Sequence, residues 1–197
     1  MNKTETRHHP ILQTAHHPLR PHHTASHVHQ PASTDVETTR TCIIAAEAGS
    51  PDTDATAQRL LQNQTDIGNA IKPLYGDAAG EQLTALLRDH ILIAGDLIAA
   101  AKAGDTATVA TTKDKWYANA DQIADFLSAA NPTNWPAAEM RTMMHDHLDN
   151  TLAEAVDHLN GDYAADIADY DKVHDQILNM ADMLTNGIIA QFPDKFS

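Results

Sequence analysis

The sequence predicts an all-α fold, an up-and-down helical bundle of four long helices plus two shorter N-terminal helices. Hydrophobic residues make up 42% of the 197 residues but aromatic residues only 5%. Alanine, leucine, isoleucine and methionine, which favour helices, must therefore supply most of the core. Glycine and proline recur at the spacing of long helices, and no segment shows the sustained alternation typical of a β-strand. This length suffices for one domain with a sizeable core.

Glycine, proline and capping aspartates divide the chain into six predicted helices. Asp77, Asp105 and Asp162 are expected to open helices, and Gly161 and Pro193 to follow helix ends. The expected helices cover residues 36–48, about 52–72, 77–101, 105–131, 134–161 and 162–191. Because the connections are short, helices that follow each other should pack as antiparallel neighbours.

Residues 1–35 differ from the helical domain expected over 36–197. The pairs His8-His9 and His16-His17 are each followed by proline, and few apolar residues lie between them. Such a segment cannot bury enough surface to offset its ordering entropy, so we expect it to be disordered. It is either a weak chelating tail for copper, nickel or zinc, or a biased extension without a role.

The charge and the cysteine content exclude several classes of protein. A net charge of −14 repels phosphate backbones and anionic membranes, so neither nucleic acid nor a membrane is an expected partner. Cys42 is the only cysteine, which excludes an internal disulfide and a thiolate-clustered zinc site. No apolar run is long enough to span a bilayer and no signal peptide is recognisable, so a cytoplasmic protein is expected. The oligomeric state stays open.

Three histidines on the apolar stripes of different helices are predicted to share one height in the bundle. His90 stands fourteen residues before Gly104, His147 fourteen before Gly161, and His174 thirteen after Gly161. At ~1.5 Å per residue, each lies ~20 Å from its turn. The counting therefore predicts a polar layer at mid-height.

Helical bundles build metal and cofactor sites from such inward side chains. Our leading hypothesis is a module that binds a transition-metal ion or a small cofactor. Its predicted metal ligands are His90, His147 and His174, with Asp171 as a ligand or as the group that orients an imidazole. Further residues of the same slice are expected to contact a cofactor: Asn63, Asp66, Trp116 and Tyr117.

Two alternatives to the binding module stay open. The polar layer could be a hydrogen-bond network that only fixes helix register in a structural or interaction protein. A metal-dependent enzyme using the same layer is the weaker alternative. The chain contains no glycine-rich phosphate loop, nucleophile elbow or His-Glu-x-x-His motif, so no catalytic residue is assigned.

Several segments resemble a family of small, uncharacterised helical proteins from Gram-positive bacteria. The similar segments are 60–69, 75–76, 89–94, 115–121, 147–154 and 180–193. The resemblance extends from about Thr39 to the C-terminus and implies a helical fold but no established activity. Members of that family have an amphipathic helix with a histidine and aromatic residues just before the match to Thr39-Arg40, where this chain has Asp35, Val36 and Glu37. If that helix contributes to the inner layer, a site in this chain would be incomplete.

Overall fold

A computed structural model describes the backbone of residues 21–196 and the side chains of residues 32–196. Within this range the protein is all-helical, as expected from the sequence. The helices are α1 (Pro21–Ala48), α2 (Thr53–Tyr75), α3 (Asp77–Lys102), α4 (Thr106–Ala130), α5 (Ala137–Asn160) and α6 (Tyr163–Gln191), followed by a short 3-10 helix (Pro193–Lys195). None of the helices in this range has the length and apolar character needed to cross a membrane.

The six helices form a closed ring. Each helix packs against the helix before it and the helix after it in the chain, and α6 packs against α1. Because consecutive helices are joined by short turns, neighbours are antiparallel and α1, α3 and α5 run in the same direction. The predicted division into four long and two shorter helices is not confirmed, since α1 has 28 residues and α2 has 23.

The first helix begins at Pro21, not at Val36 as the sequence predicted. Disorder was expected through residue 35 because apolar residues are sparse there. However, Val36 is only 3% exposed, and it forms an apolar cluster with Val173 and Ile177 against which Ala32 also packs. The described C-terminal part of this segment therefore packs against α6. Residues 1–20, which contain most of the predicted chelating tail, lie outside the described part of the chain.

Most of the predicted helix ends are confirmed. The side chains of Asp105 and Asp162 accept hydrogen bonds from the backbone amides of the first turns of α4 and α6, as helix-capping residues do. Gly161 ends α5 in the left-handed conformation, with φ of 76°. Asp77 is an exception, because the capping position before α3 is occupied by Gly76 and Asp77 is the first helical residue.

Helices α2 and α3 approach each other closely at two glycines. A Cβ atom placed on Gly68 would lie 2.5 Å from the carbonyl oxygen of Gly80, and one placed on Gly80 would lie 2.6 Å from the carbonyl oxygen of Gly68. Only glycine leaves enough space for two backbones at this distance. This crossing brings α2 tightly against α3 and sets the width of the ring there.

Candidate functional site: a cavity lined by all six helices

The ring of helices surrounds a partly open cavity of about 170 Å³. Every helix contributes to its wall, and most of the lining side chains are apolar. The polar and ionisable side chains of the wall are few: Asp35, Thr39, Gln64, His90, Trp116, His147 and Thr151. A mainly apolar cavity with a small number of polar groups is the usual form of a small-molecule site.

Three ionisable residues of this wall lie at one height on the three parallel helices. Asp35 belongs to α1, His90 to α3 and His147 to α5. Each stands fourteen residues before the positive-φ glycine that follows its helix, namely Gly49, Gly104 or Gly161. At ~1.5 Å per residue, all three lie ~21 Å from that end of the bundle. The predicted mid-height layer therefore exists, with Asp35 in place of His174.

The tautomer of His90 follows from its neighbour Asn119. The His90 Nδ1 atom lies 2.7 Å from Asn119 Oδ1, and Asn119 Nδ2 donates a hydrogen bond to the carbonyl oxygen of Leu86. Because that bond orients the amide, Asn119 Oδ1 must accept a proton from His90 Nδ1. Nε2 of His90 is then an acceptor, and it is buried without a partner among the described residues. Burial lowers the pKa of His90 to about 4.

His147 stacks on His90. The ring centroids are 6.3 Å apart and the ring planes are inclined by 25°. Burial, and then the proximity of His90, lower the pKa of His147 to about 3, with Gln176 opposing the shift. Nδ1 of His147 is buried and has no hydrogen-bond partner in the described part of the chain. Both imidazoles are therefore neutral at pH 7.

Asp35 accepts hydrogen bonds from two amide side chains of α2. Asn63 Nδ2 donates to its Oδ1 atom over 3.0 Å, and Gln64 Nε2 donates to the same atom. Burial raises the pKa of Asp35, which these two bonds only partly offset. No ion pair joins Asp35 to a basic side chain within residues 32–196. The carboxyl group is thus desolvated and lacks a counter-charge there.

Two further polar groups of the wall are buried without a partner in the described region: Trp116 Nε1 and Thr151 Oγ1. The Trp116 ring is 3% exposed, and its centroid lies 5.3 Å from that of His90. Buried polar atoms in proteins are nearly always satisfied by protein, water or ligand. With His90 Nε2 and His147 Nδ1, four buried polar atoms in side chains of the cavity wall therefore have no partner among the described residues.

Within residues 32–196, the structure does not bring the predicted metal ligands together. His174 is half-exposed, with Asp175 Oδ1 at 3.5 Å from its Nδ1 atom, and Asp171 is exposed. The described residues contain no group of three or more histidine, cysteine or carboxylate side chains able to hold a metal ion. The height of His174 was inferred from counting, but Val173 and Ile177 are the buried residues at that height. A residue one position further is rotated by ~100°, which turns His174 away from the interior.

Of the four residues expected to contact a cofactor, two lie at the cavity or beside it and two do not. Trp116 lines the cavity and Asn63 holds Asp35. Asp66 is exposed and accepts a hydrogen bond from Gln62. Tyr117 does not line the cavity; it is partly buried against the core, and its hydroxyl group donates to the exposed side chain of Asp149. Asp66 shares the height of the layer but faces outward, as His174 does.

A second buried polar cluster, outside the cavity lining, was missed by the sequence analysis. Arg40 Nη1 of α1 lies 2.9 Å from Glu154 Oε1 of α5 and 2.8 Å from Asp166 Oδ1 of α6. Both carboxylates are 2% exposed, and His158 Nδ1 lies 2.9 Å from Asp166 Oδ2. The cluster ties α1 to α5 and α6 beside the cavity.

A signal for this cluster was present in the sequence but was ambiguous. On α6 the large apolar side chains of Tyr163 and Ile167 suggest a buried face, but they are 57% and 55% exposed, whereas Asp166 and Asp169 are buried. A carboxylate on a buried face can be recognised only when its basic partner is known. That partner, Arg40, is 126 residues away in the chain.

No family model, no curated protein and no solved structure matches this chain. The resemblance to uncharacterised Gram-positive helical proteins therefore stays a prediction. In this chain α1 contributes Asp35 to the layer.

Proposed function

We propose that this chain is a binding protein that encloses a small, mainly apolar molecule in its central cavity. The observation that carries the proposal is a cavity of about 170 Å³ whose wall combines apolar side chains from six helices with unpartnered buried polar atoms. The apolar part would contact the body of the molecule. Hydrogen bonds to His90 and His147 would select and orient it.

The volume limits the size of the guest. An apolar cavity of about 150 Å³ in another helical protein accommodates benzene. A cavity of about 170 Å³ therefore suits a molecule with roughly one six-membered ring and one or two substituents. It is below the range of about 300–1,000 Å³ that drug-sized ligands occupy.

Binding is favoured over the two other hypotheses by the state of the polar layer. A layer that served only to fix helix register would be expected to satisfy its own hydrogen bonds. Here His90 Nε2, His147 Nδ1 and Thr151 Oγ1 find no partner among residues 32–196. A metal-dependent reaction requires ligands that converge on an ion, and the described residues offer no such set.

The test is a direct search for the guest. The full-length protein would be purified, its bound small molecules extracted under denaturing conditions, and the extract analysed by mass spectrometry. In parallel, single-ring compounds such as benzyl alcohol would be titrated and followed by protein-detected NMR. We expect stoichiometric recovery of a small organic molecule, or saturable shifts of amides around His90 and His147.

Filling the cavity provides the matched control. Ala181 lines the cavity and is 3% exposed, whereas Ala168 lies on the same helix and is exposed. Ala181→Leu should abolish binding while the protein stays folded, because the added atoms enter free space. Ala168→Leu should bind like the unaltered protein. No extractable molecule together with no saturable shift would overturn the proposal, as would equal binding by both variants.

A further inference from the structure

Two groups of the cavity wall, in the described part of the chain, are hydrogen-bond acceptors. His90 Nε2 is an acceptor because its ring donates from Nδ1 to Asn119. The Asp35 carboxyl group accepts from two amides and has remaining lone pairs. Of the other lining atoms without a partner in the described region, Trp116 Nε1 can only donate, whereas His147 Nδ1 and Thr151 Oγ1 can donate or accept. A guest that binds to both His90 Nε2 and Asp35 must supply a donor to each.

The charge of the wall favours a cationic guest. No lysine or arginine lines the cavity in the described part of the chain. Arg40, which follows the lining residue Thr39, is engaged by Glu154 and Asp166. The only described hydrogen bonds to Asp35 come from neutral amides. A carboxylate removed from water without a counter-charge is costly, and a cation placed beside it would remove that cost.

The same groups disfavour an anionic guest. A carboxylate or phosphate would meet Asp35 and two imidazoles that are neutral at pH 7, and residues 32–196 place no positively charged donor in the wall to receive it. The net charge of −14 over the whole chain would also repel an anion and attract a cation during approach. The charge of the wall therefore favours cationic over anionic ligands.

We infer that the guest is a small primary amine bound as its ammonium ion, with a hydrocarbon body of about one ring and with Asp35 as the receiving carboxylate. An alkylammonium group has three N–H donors and no acceptor. It can donate to Asp35 and to Nε2 of His90, while its body contacts the apolar wall. This inference rests on the proposed function, because it names the ligand class of the same cavity.

Three probes of nearly equal shape test the inference: benzylamine, benzyl alcohol and toluene. Each would be titrated into the full-length protein at pH 7, where benzylamine is protonated, and binding would be measured by calorimetry and NMR. Hydrogen bonds to an ionised partner are about twice as strong as neutral ones. We therefore expect benzylammonium to bind about tenfold tighter than benzyl alcohol, and toluene to bind most weakly.

The Asp35→Asn variant tests the role assigned to the carboxylate. It has nearly the same shape and removes only the charge, so the preference for benzylammonium should disappear while benzyl alcohol still binds. Asp66→Asn is the matched control, because Asp66 is exposed on α2 and should not affect the preference. The comparison of the three probes uses the unaltered protein alone. It therefore tests the amine class even if Asp35→Asn does not fold.

The outcomes separate this inference from the proposed function. If benzyl alcohol or toluene binds as tightly as benzylammonium, the amine class is wrong but the binding cavity stands. If the preference survives in Asp35→Asn, the assignment of Asp35 is wrong. If none of the three probes binds, and extraction yields no molecule, the proposed function fails as well.

Discussion

The imidazole rings of His90 and His147 stack inside the bundle, with 6.3 Å between their centroids and 25° between their planes. Two rings at this distance cannot both carry a proton in a desolvated space without strong repulsion. Burial keeps both neutral, with pKa values lowered to about 4 for His90 and about 3 for His147. The pair therefore presents neutral hydrogen-bonding nitrogens to the cavity and makes the fold sensitive to acid.

Acid should destabilise the protein through these two histidines. A histidine of the unfolded chain takes up a proton near pH 6.5, whereas the buried rings stay neutral until about pH 4 and 3. As the pH falls below 6.5, the unfolded state therefore binds more protons than the folded state, and the free energy of unfolding decreases. Above pH 6.5 neither state is protonated at these rings, so their effect on stability is absent there.

The His147→Gln variant measures this effect. Urea unfolding between pH 7 and pH 4 should show a shallower loss of stability in His147→Gln than in the unaltered protein. His174→Gln is the matched control, because the half-exposed His174 lies at the same height but outside the cavity. Identical pH profiles for His147→Gln and the unaltered protein would contradict the prediction.

Removing Arg40 should destabilise the contact of α1 with α5 and α6. The Arg40→Met variant leaves Glu154 and Asp166, each 2% exposed, without their basic partner. Loss of one member of a buried ion pair costs roughly 3–5 kcal/mol. We expect Arg40→Met to lower the free energy of unfolding by about 3 kcal/mol, the lower end of this range, because the Arg40 side chain is 20% exposed. Chemical denaturation followed by circular dichroism measures the change.

A surface ion pair serves as the control for Arg40. Arg141 pairs with Asp125 over 2.7 Å, and both side chains are about half-exposed. Exposed pairs contribute little to stability, so Arg141→Met should unfold close to the unaltered protein. A second comparison adds Glu154→Gln to Arg40→Met, which should restore part of the lost stability because one unpaired charge is removed. Equal stability of Arg40→Met and Arg141→Met would refute the structural role of the cluster.

Alanine should have opposite effects at two helical glycines. At Gly68 a Cβ atom would lie 2.5 Å from the carbonyl oxygen of Gly80, so Gly68→Ala should push α2 from α3 and destabilise by roughly 1–3 kcal/mol. Gly95 lies in α3 with nothing within 4 Å of the added atom. Gly95→Ala should stabilise by about 0.5–1 kcal/mol, because alanine loses less backbone entropy. Thermal unfolding measures both changes. A higher melting temperature for Gly68→Ala, or a lower one for Gly95→Ala, would contradict the prediction.

Asn119 should determine the tautomer of His90. In Asn119→Ala the proton on His90 Nδ1 loses its acceptor at 2.7 Å. An unpaired buried donor costs about 1–3 kcal/mol. Since neither ring nitrogen then has an acceptor among the described residues, nothing fixes which of them carries the proton. Nitrogen-15 NMR of the imidazole should show one tautomer in the unaltered protein and a mixture in the variant. Asn69→Ala, on the exposed side of α2, should leave the His90 signals unchanged.

The helical fold and the height of the polar layer follow from short-range rules. Gly49, Gly104 and Gly161 adopt positive φ at the helix ends, as glycine does at little cost. Counting residues back from such a turn gives the position along a helix, because the rise per residue is constant. His90 and His147 were predicted correctly as inward members of the layer on this basis.

The tertiary structure alone decided which side of each helix faces the interior. His174 has the expected height, yet Val173 and Ile177 occupy the buried face of α6. In the same way, Asp35 joins the layer only because α1 begins earlier than expected and closes the ring against α6. Rotation about a helix axis depends on contacts such as that of Arg40 with Asp166, 126 residues apart. Local periodicity cannot encode these contacts, since a buried charge is stable only beside a partner that the folded chain provides.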